Sequence, residues 1–225
     1  ITGHPAGPGR VGVSVCDIAC GMAAHAAILE ALIARSITGE GAAIETSLFA
    51  GMADWMNVPL IYFEGTGVEP KRMGLAHPSI CPYGAFALKD RSLVLISIQN
   101  EREWANFSRV VMRDADLPTR SGYENNNIRV ANREKVDAHV GSAFATLSRE
   151  EAEAALREAG TAYGFVNTVA ELAHHPALRR VEVATPNGLA SVVAPPTTRD
   201  GAIPELGPVP QVGEHSEKIR AEFQP

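Results

Sequence analysis

The sequence predicts an α/β chain, on two observations. Short β-branched runs alternate with apolar helical segments over residues 11–61, and a second region pairs two strand-like runs with amphipathic helices. Residues 11–15 form the first such run and lead to Asp17. Residues 18–33 are almost uninterrupted Ala, Leu, Ile and Met, a composition of high helix propensity with a single internal glycine, Gly21, near its start. Thr38, Gly39, Glu40 and Gly41 then stop the helix, since glycine just past a helix end accepts the backbone conformation that closes it. Residues 42–47 read as a strand and residues 48–61 as another helix.

Asp17 therefore stands at or just before a helix N-terminus. Two readings fit that position. Aspartate is a preferred N-cap, because its carboxylate accepts a hydrogen bond from a first-turn amide. It is also a nucleophile or base placed beside amides that can hold an anionic intermediate. Local pattern does not separate them.

Residues 64–70 are polar and glycine-containing and read as a linker at a domain boundary. Pro78 and Pro82 exclude regular helix from residues 71–82. Residues 83–88 and 92–98 read as a hairpin joined by Lys89, Asp90 and Arg91, a turn that glycine would suit better than Arg91. Residues 101–112 form an amphipathic helix with Trp104, Phe107 and Val111 on one stripe. Residues 114–128 are turn-rich, with Asn125, Asn126 and Asn127 marking a loop. A helix over residues 133–147 carries Val136, Val140 and Phe144 at helical spacing, and Ser148 with Glu151 is a capping box opening a helix that ends at Gly160. An extended stretch at 163–167, a short helix at 169–174 and β-like runs beyond residue 181 complete the chain.

Composition narrows the function classes. Hydrophobic residues at 45% and charged residues at 20% describe a folded globular chain, and a net charge of −6 argues against nucleic-acid binding. Three cysteines without secretory patterning predict a reduced, cytoplasmic protein, with Cys16 ahead of the helix that holds Cys20. The histidines are scattered, so no metal site is expected. Residues 1–10 are Pro/Gly-rich and unlike a signal peptide. Residues 18–33 are shorter than a bilayer span and contain His25 and Glu30, so no membrane span is expected. Trp55 and Trp104 lie on apolar helix faces and read as core, and His215 reads as a helix-start residue.

An aspartate, a Gly/Ala-rich helix closing in Ala-Leu-x-x-Arg, then Thr-Gly-x-Gly before a strand resembles the class III CoA-transferase family. Asp17, Gly21, Ala31, Leu32, Arg35, Thr38, Gly39, Gly41 and Ser47 match its pattern in order. Downstream, GTAYGFVNTVAELAHHPALR (residues 160–179) and GPVPQVGEHSEKI (residues 207–219) resemble later segments of the same family. The resemblance implies the C-terminal part of a Rossmann-like large domain (residues 1–65), a small α+β domain (66–180) and a tail returning to the large domain (181–225), within an intertwined homodimer. The family carries a long region ahead of the aspartate, with much of the CoA pocket. The resemblance thus implies either the C-terminal portion of such a protein or a chain whose partner supplies the rest.

The implied activity is reversible transfer of CoA from an acyl-CoA to a carboxylic acid through an aspartyl-CoA thioester on Asp17. Coenzyme A thioester is then a substrate, with no tightly bound cofactor. An active-site loop of the family matches residues 74–84, where glycine stands only at the ends and Pro78 and Pro82 imply a preformed loop. His77, Ser79 and Tyr83 are its candidates for binding a substrate carboxylate; equally, they satisfy loop backbone. The loop resembles members acting on small dicarboxylates such as mesaconate, itaconate, citramalate or malate. Two alternatives stand beside this. One is a 2-methylacyl-CoA racemase, which needs a second acid/base group, and only His4 precedes Asp17. The other is an inactive interaction half that needs an N-terminal partner, its apolar helix faces inviting association.

Overall fold

The computed structural model describes residues 1–223, which belong to two compact units, Ile1–Val166 and Asn167–Pro225. The first unit opens with a small antiparallel ribbon, β1 (Gly3–His4) and β2 (Gly7–Pro8). Helix α1 (Val15–Thr38) follows, with 24 residues. It outruns the predicted 18–33 at both ends. Gly39 closes it at φ 78°, donating its amide to the Arg35 carbonyl at 2.9 Å. The Thr38 hydroxyl donates to the Ala34 carbonyl at 3.1 Å and accepts the Glu40 amide at 3.2 Å, so the matched Thr-Gly pair is helix punctuation.

Two expectations change here. By length and composition α1 is long and apolar enough to cross a membrane, so the argument from a short apolar run does not hold. Cys16 also lies inside the helix, one turn before Cys20, because the helix starts ahead of it at Val15.

Residues 40–47 form no strand. No ladder partner lies beside them among the described residues, and a lone strand leaves its amides and carbonyls unpaired. Ser47 instead N-caps α2 (Leu48–Trp55), its hydroxyl accepting the Ala50 amide at 3.1 Å. The single helix expected over 48–61 is two, α2 and α3 (Asn57–Thr66), parted at Met56 with ψ near 3°. Pro59 explains the break. It lacks an amide hydrogen, and its ring opposes the carbonyl four residues earlier, on Trp55, where α2 ends.

A three-stranded antiparallel sheet is built from β3 (Tyr83–Ala87), β4 (Leu93–Ser97) and β5 (Ala162–Phe165), with β4 central. Tyr83 pairs with Ser97, and Val94 with Phe165. The β3–β4 turn places Arg91 at φ 70°, and Asp90 Oδ1 accepts the Ser92 amide at 2.9 Å. Helices α4 (Glu101–Val110), α5 (Asn126–Ala131), α6 (Arg133–Phe144) and α7 (Arg149–Ala159) follow the hairpin, and α4, α6 and α7 contribute to its core. Trp104, Phe107, Val111, Val136, Val140 and Phe144 lie in that core, as the spacing predicted, together with Leu156, Val94 and Ile96. The Ser148–Glu151 capping box is present. The asparagine run does more than mark a loop: Asn125 is the N-cap of α5, accepting the Ile128 amide at 3.0 Å.

In the second unit α8 (Val169–Ala173) starts at a Thr168–Glu171 capping box. β6 (Arg180–Thr185) and β7 (Gly188–Val193) form an antiparallel hairpin, and α9 (Ser216–Glu222) ends the described chain. Every strand pair among the described residues is antiparallel.

Candidate active site

Asp17 is the third residue of α1, after the N-cap Ser14. It is not itself the N-cap. Its carboxylate is exposed and accepts no hydrogen bond among the described residues. Ile18 is the first helix residue whose amide reaches back across a turn, to the Ser14 carbonyl at 3.0 Å. The amides of Cys16 and Asp17 therefore remain available, as first-turn amides do. Cys20 Sγ lies 3.6 Å from the Thr46 hydroxyl, which holds the 40–47 segment against the start of α1.

Loop 74–84 brings the other three candidates together. The His77 and Tyr83 rings stack with centroids 5.1 Å apart, and the His77 amide donates to the Tyr83 carbonyl at 2.9 Å. The Ser79 amide donates to His77 Nδ1 at 3.2 Å, and the Ser79 hydroxyl lies 3.4 Å from the same nitrogen. One imidazole nitrogen thus serves the loop itself. The other nitrogen and the Tyr83 hydroxyl make no hydrogen bond among the described residues, whereas the Ser79 hydroxyl is within reach of Nδ1. No hydrogen bond or ion pair joins this trio to Asp17 among the described residues.

Behind the loop sits a polar cluster that sequence reasoning missed. Asn126 Nδ2 donates to the Ser79 carbonyl at 2.9 Å, and Asn126 Oδ1 accepts the Cys81 amide at 3.1 Å. Arg129 Nε donates to the Cys81 carbonyl at 2.7 Å. Arg133 Nη2 donates to the His77 and Ile80 carbonyls, each at 2.8 Å. Cys81 Sγ lies 3.6 Å from Asp137 Oδ1, and burial, reinforced by that carboxylate, pushes the thiol up to about 12. Burial likewise raises Asp137. The spacing of 126, 129 and 133 was the available signal, but residues 114–128 read as loop, and sequence does not show partners some fifty positions away.

Other candidates play smaller parts. Lys71 and Arg72 line an open cleft of about 460 Å³ with Pro5, Glu69, Pro70 and Met73. Arg179, next to Arg180 in sequence, donates to the Pro195 and Pro196 carbonyls. His4 Nδ1 accepts the Ala6 amide at 3.2 Å. His215 is the N-cap residue of α9 without a side-chain cap bond. Trp104 is core as expected, whereas Trp55 is largely exposed at the end of α2, where no other element covers it among the described residues. No group of three or more His, Cys, Asp and Glu suited to a metal ion occurs among the described residues.

The chain is 32% identical over 224 residues to an acyl-CoA transferase of Fusarium pseudograminearum, covering 98% of this chain and 47% of that protein. It is 29% identical over 239 residues to the human succinyl-CoA:glutarate CoA-transferase, covering 99% of this chain and 52% of that one. The crystal structure of a CAIB/BAIF family protein from Brucella suis superposes with a TM-score of 0.76 at 29% identity, over 100% of this chain and 59% of that one. The chain spans about half the length of the curated relatives it matches. The description CoA-transferase family III matches residues 1–216, and the chain belongs to that family.

Proposed function

We propose that this chain takes part in reversible CoA transfer from an acyl-CoA to a carboxylic acid, with Asp17 as the covalent nucleophile. The observation that carries the reading is Asp17 itself: exposed, unpaired, on the first turn of α1 beside the free amides of Cys16 and Asp17, within a family match running from residue 1 to 216. The Asp17 carboxylate attacks the thioester carbonyl, the C–S bond breaks, and a mixed anhydride and CoA thiolate result. The thiolate then attacks the aspartyl carbonyl, releasing the first carboxylic acid and leaving CoA as a thioester on Asp17. The acceptor carboxylate repeats the two exchanges in reverse order and restores the free aspartate. Each step trades one activated acyl state for another, so no step is steeply uphill. First-turn amides can hold the oxyanion of each tetrahedral intermediate.

His77, Ser79 and Tyr83 are proposed to bind the carboxylate of the acid. Succinate and glutarate, named for the human relative, are both small dicarboxylates, which supports acids of that class, mesaconate, itaconate, citramalate and malate among them. We read α1 as a packed element of the shared fold, not a membrane span, because the Brucella structure superposes over the whole of this chain. Apolar side chains on α2 and α3, such as Phe49 at 84% and Val58 at 80% exposure, support burial against further protein: the remainder of a Rossmann-like large domain, of which residues 1–65 are part, and a second copy in an intertwined dimer. Residues 66–180 would then form the small domain and 181–225 the returning tail. Cys16, Cys20 and Cys81 are free thiols, in keeping with a reduced, cytoplasmic setting.

The test is intact mass spectrometry of the protein expressed from its complete reading frame after incubation with succinyl-CoA, beside Asp17→Ala. A CoA-sized adduct that hydroxylamine removes and the variant lacks is the expected result. Its absence from the unaltered protein would end the reading.

A further inference from the structure

We propose that Asn126, Arg129 and Arg133 form a clamp that fixes the backbone of loop 77–81 and so sets affinity for the acceptor carboxylate. This rests on the reading of His77, Ser79 and Tyr83 as carboxylate-binding residues. The three clamp residues stand at i, i+3 and i+7 across α5 and the start of α6, the spacing that puts side chains on one helical stripe. Between them they bind the carbonyls of His77, Ser79, Ile80 and Cys81, and the amide of Cys81. A stretch that makes few ladder bonds of its own thus has its backbone groups satisfied by side chains from α5 and the first residue of α6.

The clamp is rigid at its base. Arg129 is 1% exposed, stacks 4.9 Å from the Trp104 ring centre and pairs with Glu101 at 2.7 Å, so its position is fixed by the core. Arg133 is the adjustable member. Its Nη2 serves two carbonyls, whereas Nη1 is buried without a hydrogen-bond partner, 3.8 Å from Asp137 Oδ2. Two carbonyls converging on one nitrogen define the path of residues 77–80, and with it the spacing of the His77 ring and the Ser79 hydroxyl. Prolines alone do not supply this, because Pro78 and Pro82 restrict themselves and the residues just before them, His77 and Cys81, and leave Ser79 and Ile80 unrestricted. Binding then meets a preorganised loop and loses less ordering entropy.

Arg133→Met, Arg133→Lys and Asn126→Ala test this in the protein from its complete reading frame, with succinyl-CoA as donor and glutarate as acceptor. Arg133→Met is expected to raise the KM for glutarate at least tenfold with kcat changed less than threefold. Arg133→Lys, which keeps one cationic donor, should recover part of that loss. Hydrogen exchange of amides in residues 76–83 should quicken in Arg133→Met and in Asn126→Ala. If Arg133→Met also loosens β3 to β5, Asn126→Ala is judged by the same criteria, since it removes two loop bonds and leaves both arginines. Unchanged loop exchange, or quickened exchange with an unchanged glutarate KM, overturns the clamp. Loss of the Asp17 thioester in the unaltered protein would instead end the transfer reading and the acceptor role with it, so the two failures are distinct.

Discussion

The buried guanidinium of Arg129 meets the half-exposed carboxylate of Glu101 at 2.7 Å, at the first residue of α4. Glu101 Oε1 also accepts the Asn126 amide at 2.9 Å, so one carboxylate ties α4 to the start of α5. A buried arginine without a counter-charge is strongly destabilising, which makes Glu101 the partner that permits Arg129 to sit under the loop. Burial pushes the Glu101 carboxyl up, but the Arg129 and Asn126 hydrogen bonds outweigh it and hold the group below its ordinary value of 4.5.

Acid should therefore weaken this unit in a defined window. A carboxylate whose folded value lies below its unfolded one contributes stability that is complete above the unfolded value and disappears as pH falls through the folded one. Thermal melting of the unaltered protein should fall below the ordinary Glu101 value of 4.5. Glu101→Gln should melt lower at neutral pH and show a shallower fall in acid. A variant with an undiminished acid slope would show that other carboxylates carry it.

Thiol chemistry should divide the three cysteines. Cys81 is fully buried and its thiol is pushed up to about 12, whereas Cys16 and Cys20 are part-exposed on α1. Reactivity follows the thiolate and its access. Iodoacetamide at pH 8 should label Cys16 and Cys20 while leaving Cys81 unmodified until the protein is unfolded, as peptide mass mapping would show. Native labelling of Cys81 at the pace of the other two would contradict its buried position behind the loop.

What the sequence disclosed follows from how local each signal is. The Ser148–Glu151 box, Gly160, and the Val136, Val140 and Phe144 stripe are all settled within a few residues, and all are present. Residues 42–47 looked like a strand because β-propensity reports a side-chain pattern, but pairing needs a partner that the local pattern does not show. The break at Met56 is legible in Pro59, although the apolar pattern runs across it. Asp17 stood out through its place in a family pattern more than through its neighbours. The Asn126, Arg129 and Arg133 stripe was hidden because its meaning lies in carbonyls of a loop distant in sequence.

Trp104 should be the costliest single core loss. It is fully buried, donates its indole N–H to the Tyr123 carbonyl at 2.9 Å and underlies Arg129. Trp104→Ala removes packing and leaves that carbonyl with a weaker set of donors, so the destabilisation should reach about 3–5 kcal/mol by urea unfolding. A loss under about 1 kcal/mol, well below that range, would mean that Trp104 is not central to the core.

The turn at Arg91 offers a change in the opposite direction. Its φ of 70° is a region that glycine enters freely and other residues enter at a cost. Asp90 supports the turn by accepting the Ser92 amide at 2.9 Å and the Ser92 hydroxyl at 2.6 Å, bonds that do not involve the Arg91 side chain. Arg91→Gly should keep those bonds and relieve the strain, while the unfolded chain gains freedom that offsets part of the benefit. The net effect should be stabilisation of about 0.5–1 kcal/mol. Arg91→Ala serves as the control, since it removes the same side chain but keeps the Cβ that strains the turn. Greater stability in both variants would trace the effect to the lost arginine charge; a gain confined to glycine traces it to the backbone.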